Sequence, residues 1–342
     1  MTQMLQRLTL PKPETAEPLL YARLVGESRV VADGVVLASG AQVSFDTSFG
    51  VFAAGRWRRV STVNQLSVEV RASGIGVVEV VAVTGNREEV VAHASLPRGE
   101  GAPTSVVLPL EPLQQFKHGT YFVRVRADGG EVCMTGGQWI TSDAPAHDVR
   151  LSLSITTFNR QEYVRKTVHN VLQLESELAA LTGRLRVFVV DNAQNVTFDA
   201  APNAPLQVVP NGNLGGAGGF ARGLMELRKQ GWATHVLFMD DDITLEPEAL
   251  VRTMALFAFA RDPKLCVHGA MLSEERPWLQ FEAGSEYSFR SIYPLQALGR
   301  EDDLRTRELA IKDAPEIPFD YTAWWYTAFP INITKDNPLP VF

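Results

Sequence analysis

From Arg29 to Ala127 the apolar and β-branched residues come in short runs: Arg29 to Val36, Gln65 to Val70, Gly76 to Val83, Glu88 to Ala92, Thr104 to Leu110 and Thr120 to Ala127. Alternation within them is the period of a strand with one buried and one wet face. The residues between them are turn formers: Ala72-Ser73-Gly74, Gly85-Asn86, Arg98-Gly99-Glu100-Gly101 and Asp128-Gly129-Gly130. No helix-period segment interrupts the series, so the pattern predicts an antiparallel β-sandwich domain over residues 1–145.

Across Thr141 to Val149 the chain is small, polar and proline-bearing, and beyond it the period changes. Leu151, Leu153 and Ile155 alternate as a strand, and Val164, Val168, Val171 and Leu178 then fall near one helical face. Buried-type strands follow at Leu185 to Val190 and Leu206 to Val209. A glycine loop then runs into a helix with Phe220, Leu224 and Leu227 on one side. Val236 to Met239 is a further strand, and Pro247 suits the first turn of a helix continuing through Leu250, Met254 and Phe257. Strand alternating with helix predicts a Rossmann-like, mostly parallel sheet over residues 146–342, with polar loops at the carboxyl edge, where nucleotides bind in such folds.

Composition narrows the function classes. With 342 residues, 45% hydrophobic and 21% charged, the chain is an ordinary folded one of about two domains, and a disulfide scaffold or a disordered tail is excluded. The net charge of −7 is spread along the sequence, so nucleic acid is not an expected partner. Cys133 and Cys266 lie far apart, form no zinc pattern, and read as buried thiols in a reducing compartment. No apolar run approaches the roughly 20 residues that span a bilayer, and Met1 to Val30 lacks the order of a signal peptide. The expected location is cytoplasmic, free or peripheral on the inner face of the cell membrane.

Candidate chemistry gathers where strands end. Met239-Asp240-Asp241-Asp242 directly follows the apolar run HVLFM, so Asp240 and Asp242 can converge on one hard cation such as Mg²⁺ or Mn²⁺, with Asp241 pointing elsewhere. The alternative is an acidic helix approach with Thr244 or Glu246 as a cap. Asn211-Gly212-Asn213-Leu214-Gly215-Gly216-Ala217-Gly218-Gly219-Phe220 offers glycine amides beside a helix N-terminus, suited to phosphate or sugar hydroxyls, or else is a tight turn needing left-handed backbone. It is neither a Walker A loop nor a dinucleotide fingerprint. Thr156-Thr157-Phe158-Asn159-Arg160 places an arginine where it could grip a diphosphate, and Asp191-Asn192 could hydrogen-bond a uracil or ribose, or simply start a turn. Tyr321-Thr322-Ala323-Trp324-Trp325-Tyr326 suits stacking on sugar faces and equally a packed strand. The six histidines form no HExxH and have no nucleophile partner, so a hydrolase triad has no support.

SITTFNR, VVDN, NGNLGGAGGFARGLMEL, VLFMDDDITLEPE and DYTAWWYTAFP, in that order behind a β-rich region containing SFDTSFGVFAAGRW, resemble the polymerising galactofuranosyltransferases of glycosyltransferase family 2. The resemblance implies a jelly-roll-like β-sandwich followed by a GT-A domain. It further implies inverting, metal-dependent transfer of galactofuranose from UDP-galactofuranose to a lipid-linked or cell-envelope glycan, extending a galactan. Carried over by position, Arg160, Asp191, Asn192, Asn213 and Asp240 are expected donor contacts, Asp240 and Asp242 ligands of Mn²⁺ or Mg²⁺, and Trp324 and Trp325 the acceptor side. The family's general-base aspartate and a metal-completing histidine would lie beyond Phe342, so the resemblance makes the chain a fragment whose own catalytic residue is unassigned. A homo-oligomer and peripheral membrane contact are also implied. Two other readings stay open: a family 2 transferase using another UDP or dTDP sugar, and a non-catalytic glycan-binding protein with a degenerate nucleotide domain.

Overall fold

The longest ladder of the chain joins Leu66–Thr84 to Thr120–Thr141, antiparallel. Along the first of these, Leu66, Val68, Val70 and Ala72 are buried, whereas Ser67 and Glu69 are only partly so, as the alternation predicts. The computed structural model describes residues 2–96, 103–179, 181–199, 204–312 and 320–337. The expected turn at Arg98-Gly99-Glu100-Gly101 falls outside them. Among the described residues nine strands make one antiparallel sheet that closes into a sandwich, with Thr120–Thr141 pairing Gln3–Leu8, Gly34–Leu37, Gln42–Ser44 and Leu66–Thr84. Its core holds stacked aromatics, Phe52 lying 4.8 Å from Trp139 and 5.6 Å from Trp57 between ring centres.

Three expectations need correction here. Ala72-Ser73-Gly74 and Asp128-Gly129-Gly130 are not chain reversals. Gly74 opposes Val132 and Gly76 opposes Ala127, so residues 128–131 bulge opposite Ile75 and each strand runs on past its glycines. Gly74 (φ +117°) and Gly129 (φ +85°) supply the backbone that such an irregularity requires. A helix, Ala54–Val60, does interrupt the strands; it has seven residues and one large buried anchor, Trp57, too short to register as a period. The cysteines are not buried thiols, since Cys133 is half-buried and Cys266 exposed.

The chain divides into two compact units, one of Met1–Ala144 with Leu272–Phe281 and Gly299–Pro318, the other of Pro145–Met271 with Glu282–Leu298 and Phe319–Phe342. Within the first, Arg307 pairs with Asp46 and with Glu88 (2.7 Å), and the Ser48 hydroxyl donates to the Leu304 carbonyl (2.6 Å), fastening the later segment to the sandwich.

The second unit is a mixed, mostly parallel α/β sheet. Its strand order is Leu206–Pro210, Leu185–Asp191, Leu151–Thr157, His235–Asp240, Tyr326–Pro330, Val267–His268. The first four run parallel, and Tyr326–Pro330 is antiparallel to both of its neighbours. Alternate residues feed two cores. Leu151, Leu153, Ile155, Val187, Val189, Leu237 and Met239 meet Val164, Val168 and Val171 of the helix Gln161–Glu177 and Leu250, Met254 and Phe257 of the helix Pro247–Ala258. Phe188, Val190, Val236 and Phe238 meet Phe220, Leu224 and Leu227 of the helix Gly215–Gln230. Glu246 caps Pro247–Ala258 through the Glu248 amide (3.4 Å), and proline occupies the first turn.

Within the glycine segment Gly215 (φ +69°) takes the left-handed backbone of the turn reading, while Gly218 and Gly219 have a packing role. The helix begins at Gly215, so Gly218, Gly219 and Gly223 are helical, and a Cβ at Gly219 would collide with Thr156 and one at Gly223 with Ser154. The pattern Leu-Ser-Leu-Ser-Ile-Thr in residues 151–156 therefore has a packing reason. Its large side chains fill one core, and its small polar ones leave room for a glycine-faced helix on the other.

Candidate functional site

The four parallel strands end side by side, and each releases a polar loop at the same carboxyl edge: residues 158–160, 192–196, 211–214 and 241–246. This is the crevice position for ligands of open α/β sheets. The loops are tied to one another laterally, largely by amide side chains. Asn195 Nδ2 donates to Asn159 Oδ1 (2.8 Å), Asn211 Nδ2 to Asn192 Oδ1 (2.9 Å), Asn192 Nδ2 to the Gly215 carbonyl (3.2 Å), and Gln194 Nε2 to the Asn211 carbonyl (3.1 Å). Asn159 (φ 57°) and Gln194 (φ 56°) adopt left-handed backbone, tolerated where surrounding bonds over-determine the conformation.

Asp191 is buried and turned into its own loop. Its Oδ1 accepts from the Ala193 and Gln194 amides (3.0 and 2.9 Å), its Oδ2 from the Asn195 and Val196 amides (both 2.7 Å). Four backbone donors occupy the carboxylate, so this residue shapes the crevice wall. Asn192 is also buried, bridging two loops. Asn213 is exposed, and its Oδ1 holds the Gly215 amide (3.1 Å), steadying the start of the helix. Around it the backbone is uncovered, since a Cβ at Gly212, Gly215 or Gly216 would meet nothing within 4 Å.

Across the edge, Arg160 pairs with Asp242 and stands 3.7 Å from Asp241. These neighbouring carboxylates push the Arg160 guanidinium above its ordinary value. Asp240 is half-buried, and among the described residues no donor reaches its carboxylate. Burial first, then the charges of Asp242 and Asp241, push it above the usual carboxylate range. Burial likewise raises Asp241, whose carbonyl accepts from the Thr167 hydroxyl (3.1 Å).

A partly desolvated carboxylate raised by two like charges favours an added cation. Among the described residues no three His, Cys, Asp or Glu side chains converge as a closed metal site. Two aspartates fit a hard cation that completes its shell with water and phosphate oxygens, the usual setting of Mg²⁺. Asp240 and Asp242 are the residues that would hold it, Asp242 exchanging Arg160 for the ion.

The tryptophan pair is split by the strand it precedes. Trp324 packs 5.2 Å from Phe220 and 5.0 Å from Phe238, while Trp325 belongs with the opposite core and donates from Nε1 to the Gly269 carbonyl (2.9 Å). Both keep partial exposure. Sequence reasoning missed Gln194, Asn195 and the bridging role of Asn211. The available signal was the amide-rich stretch Asn192-Ala193-Gln194-Asn195 straight after a buried strand.

Residues 5–142 match the galactofuranosyltransferase 2 N-terminal family, and residues 147–287 match the glycosyltransferase like family 2. The first match falls on the β-sandwich region and the second on the region that carries the four parallel strands. The chain is similar to galactofuranosyltransferase GlfT2 of Mycobacterium tuberculosis, with 29% identity over 370 residues covering 99% of this chain and 56% of that protein. It is similar also to galactofuranosyltransferase GlfT2 of Mycolicibacterium smegmatis, with 26% identity over 375 residues and the same shares. The chain thus spans a little over half the length of these relatives. Among solved structures, the xylan-binding module CBM15 aligns with 36% of this chain and 90% of its own at 12% identity and a TM-score of 0.25, too low to carry an argument. All four loops lie within the stretch that the glycosyltransferase like family 2 match covers.

Proposed function

We propose that the α/β unit binds a nucleoside-diphosphate sugar, UDP-galactofuranose, and serves its inverting transfer to a galactan acceptor. What supports the reading most is the placement of Arg160, Asn192 and Asn213 on loops, and of Asp240 at the last position of its strand, along one sheet edge, in a chain similar to galactofuranosyltransferases. Arg160 offers a planar cation to the diphosphate, and the uncovered glycine backbone before Gly215–Gln230 offers amides and a positive helix end. Asn192 and Asn213 set the height of the loops around the nucleoside. Trp324 and Trp325, partly exposed at the far side of Asp240's strand, are the acceptor-side candidates. A bound Mn²⁺ or Mg²⁺ would supply charge neutralisation for the departing UDP.

In such a transfer an acceptor hydroxyl attacks the anomeric carbon opposite UDP, and its proton passes to a base that the described residues do not identify. The task of this chain's residues is to bind and orient the donor, lowering the barrier through position. Calorimetric titration of UDP, with and without Mn²⁺, tests the reading in the native chain, Asp240→Ala and Asp242→Ala. Metal-dependent binding lost in either variant supports it. Absence of binding by the folded native chain removes the site assignment. A panel of UDP and dTDP sugars then ranks galactofuranose against other donors.

A further inference from the structure

Resting on the nucleoside-diphosphate reading above, we propose that the side-chain amide of Asn195, held one way round by Asn159, reads the base of the bound nucleotide and selects uracil or thymine over cytosine. A carboxylate at the end of a strand, Asp191, is the residue the sequence offers for this task, since it could accept from the N3–H of uracil. Its fold takes that capacity away. The backbone amides of Ala193, Gln194, Asn195 and Val196 occupy both oxygens at 2.7–3.0 Å, and the residue is buried. Asn192 is engaged as well, its Oδ1 accepting from Asn211 and its Nδ2 donating to the Gly215 carbonyl.

What remains between the first two strand ends is the pair Asn159 and Asn195. Asn195 Nδ2 donates to Asn159 Oδ1 at 2.8 Å, and both residues are exposed. Among the described residues no other hydrogen bond reaches either side-chain amide. A primary amide carries two N–H donors and an accepting oxygen. Asn195 therefore keeps Oδ1 and one Nδ2 hydrogen, an acceptor and a donor side by side. Turning that amide end for end would set its oxygen against Asn159 Oδ1, so its orientation is fixed. The backbone beneath is pinned too. The Asn195 amide sits on Asp191 Oδ2 (2.7 Å), Arg165 Nε donates to the Thr197 carbonyl (3.0 Å), and the Asn192 amide donates to the Thr157 carbonyl (2.9 Å), joining the two loops at their roots. Asn159 takes left-handed backbone (φ 57°), which asparagine adopts more readily than most residues.

A fixed acceptor beside a fixed donor discriminates between pyrimidines. Uracil and thymine present N3–H next to a carbonyl oxygen, which meet Oδ1 and Nδ2 in turn. Cytosine in the same pose sets the N3 lone pair against Oδ1, two acceptors with no proton between them. Asparagine reads base edges through such paired contacts. The adjoining residues suit a nucleotide: Phe158 is 48% exposed and offers a ring face to a planar base, and Arg160 is the candidate for the diphosphate. Gln194 is less suited, because its Nε2 is turned to the Asn211 carbonyl on the next loop.

The test is calorimetric titration of UDP and of CDP, each with Mn²⁺, into the 342-residue chain and its variants, with melting followed in parallel. The native chain is expected to prefer UDP by about tenfold or more. Asn195→Ala should weaken UDP about tenfold, spare CDP, and bring the two within about threefold of each other. Asn159→Gly keeps the left-handed backbone and removes only the side chain; it should narrow the preference likewise, by freeing the Asn195 amide to turn. Asn159→Asp retains an acceptor for Asn195 Nδ2 and should keep the preference, whatever its charge does to both affinities alike. Gln194→Ala should keep it also. Equal binding of UDP and CDP by the native chain, or a native preference in natively melting Asn195→Ala or Asn159→Gly, overturns the base-reading role while the donor site stands. Binding of neither nucleotide by the folded native chain removes both.

Discussion

Arg160 and Asp242 hold each other across two adjacent strand ends, the arginine following Leu151–Thr157 and the aspartate following His235–Asp240. The pair sets a competition: a cation that takes Asp242 must displace the guanidinium, which is then free for a diphosphate. In Arg160→Gln, with Asp242 released and one positive charge gone, Mn²⁺ alone should bind about tenfold more tightly and UDP about tenfold more weakly, the scale of one charge-assisted hydrogen bond. Calorimetry of each ligand separately reads this. Mn²⁺ affinity equal to that of the native chain would show that the ion pair does not compete.

Asp191 should matter to stability before it matters to ligand. Asp191→Ala leaves the amides of Ala193, Gln194, Asn195 and Val196 without their acceptor, and a loss of about 3 kcal/mol is expected in urea unfolding. Asp191→Asn keeps one acceptor oxygen and should lose about half as much. An unchanged unfolding midpoint in Asp191→Ala would contradict this role.

Gly223→Ala is normally favourable in a helix by about 1 kcal/mol. Here the added methyl meets Ser154, so the expected net effect is destabilisation of about 1–3 kcal/mol. Ser154→Gly in the same chain should restore much of it, and a double-mutant cycle on unfolding free energies gives the coupling. Simple additivity would mean the helix does not approach the strand as closely as described.

His235 gives the fold a pH dependence. It is stacked on Phe257 at 4.2 Å with Nδ1 2.8 Å from the Thr234 hydroxyl, and burial, aided by the neighbouring His147, holds its pKa down to about 4. The unfolded imidazole titrates near 6.5, so between about 4 and 6.5 the unfolded chain binds the extra proton, and stability rises with pH across that window. Acidification from pH 7 to pH 5 should cost on the order of 1–2 kcal/mol through this residue. His235→Phe should therefore show a drop in Tm between those pH values smaller by about 2–5 °C. Equal drops in the two proteins would assign the acid sensitivity elsewhere.

The parallel strands and the buried faces of their helices were readable because each strand is continuously apolar or strictly alternating and each helix keeps three or more apolar residues on one side. Val164, Val168 and Val171 are all buried, as are Leu250, Met254 and Phe257. What misled was glycine. Asp128-Gly129-Gly130 reads as a reversal, but in a 22-residue strand it is an irregularity carried by a partner of 19 residues, information that lies on another segment of the chain. Gly219 reads as loop or ligand cradle, whereas its reason is Thr156, 63 residues earlier, and Gly223 in the helix that follows owes its place to Ser154. The candidate loops were legible from their strand ends. Their mutual bonds were not, since Asn159 to Asn195 and Asn192 to Asn211 are pairings that only the strand order brings within reach.

Glycine against serine beneath the helix Gly215–Gln230, and amide against amide between the loops, separate the crevice into a floor and a rim. The floor tolerates little, because every atom added there meets backbone or a short side chain. The rim residues Phe158, Arg160, Asn213 and Leu214 are exposed. Substitutions at those four exposed positions should leave the unfolding midpoint close to native, whereas any atom added to the floor should lower it, so the foldedness of this edge is decided beneath the loops and not on them.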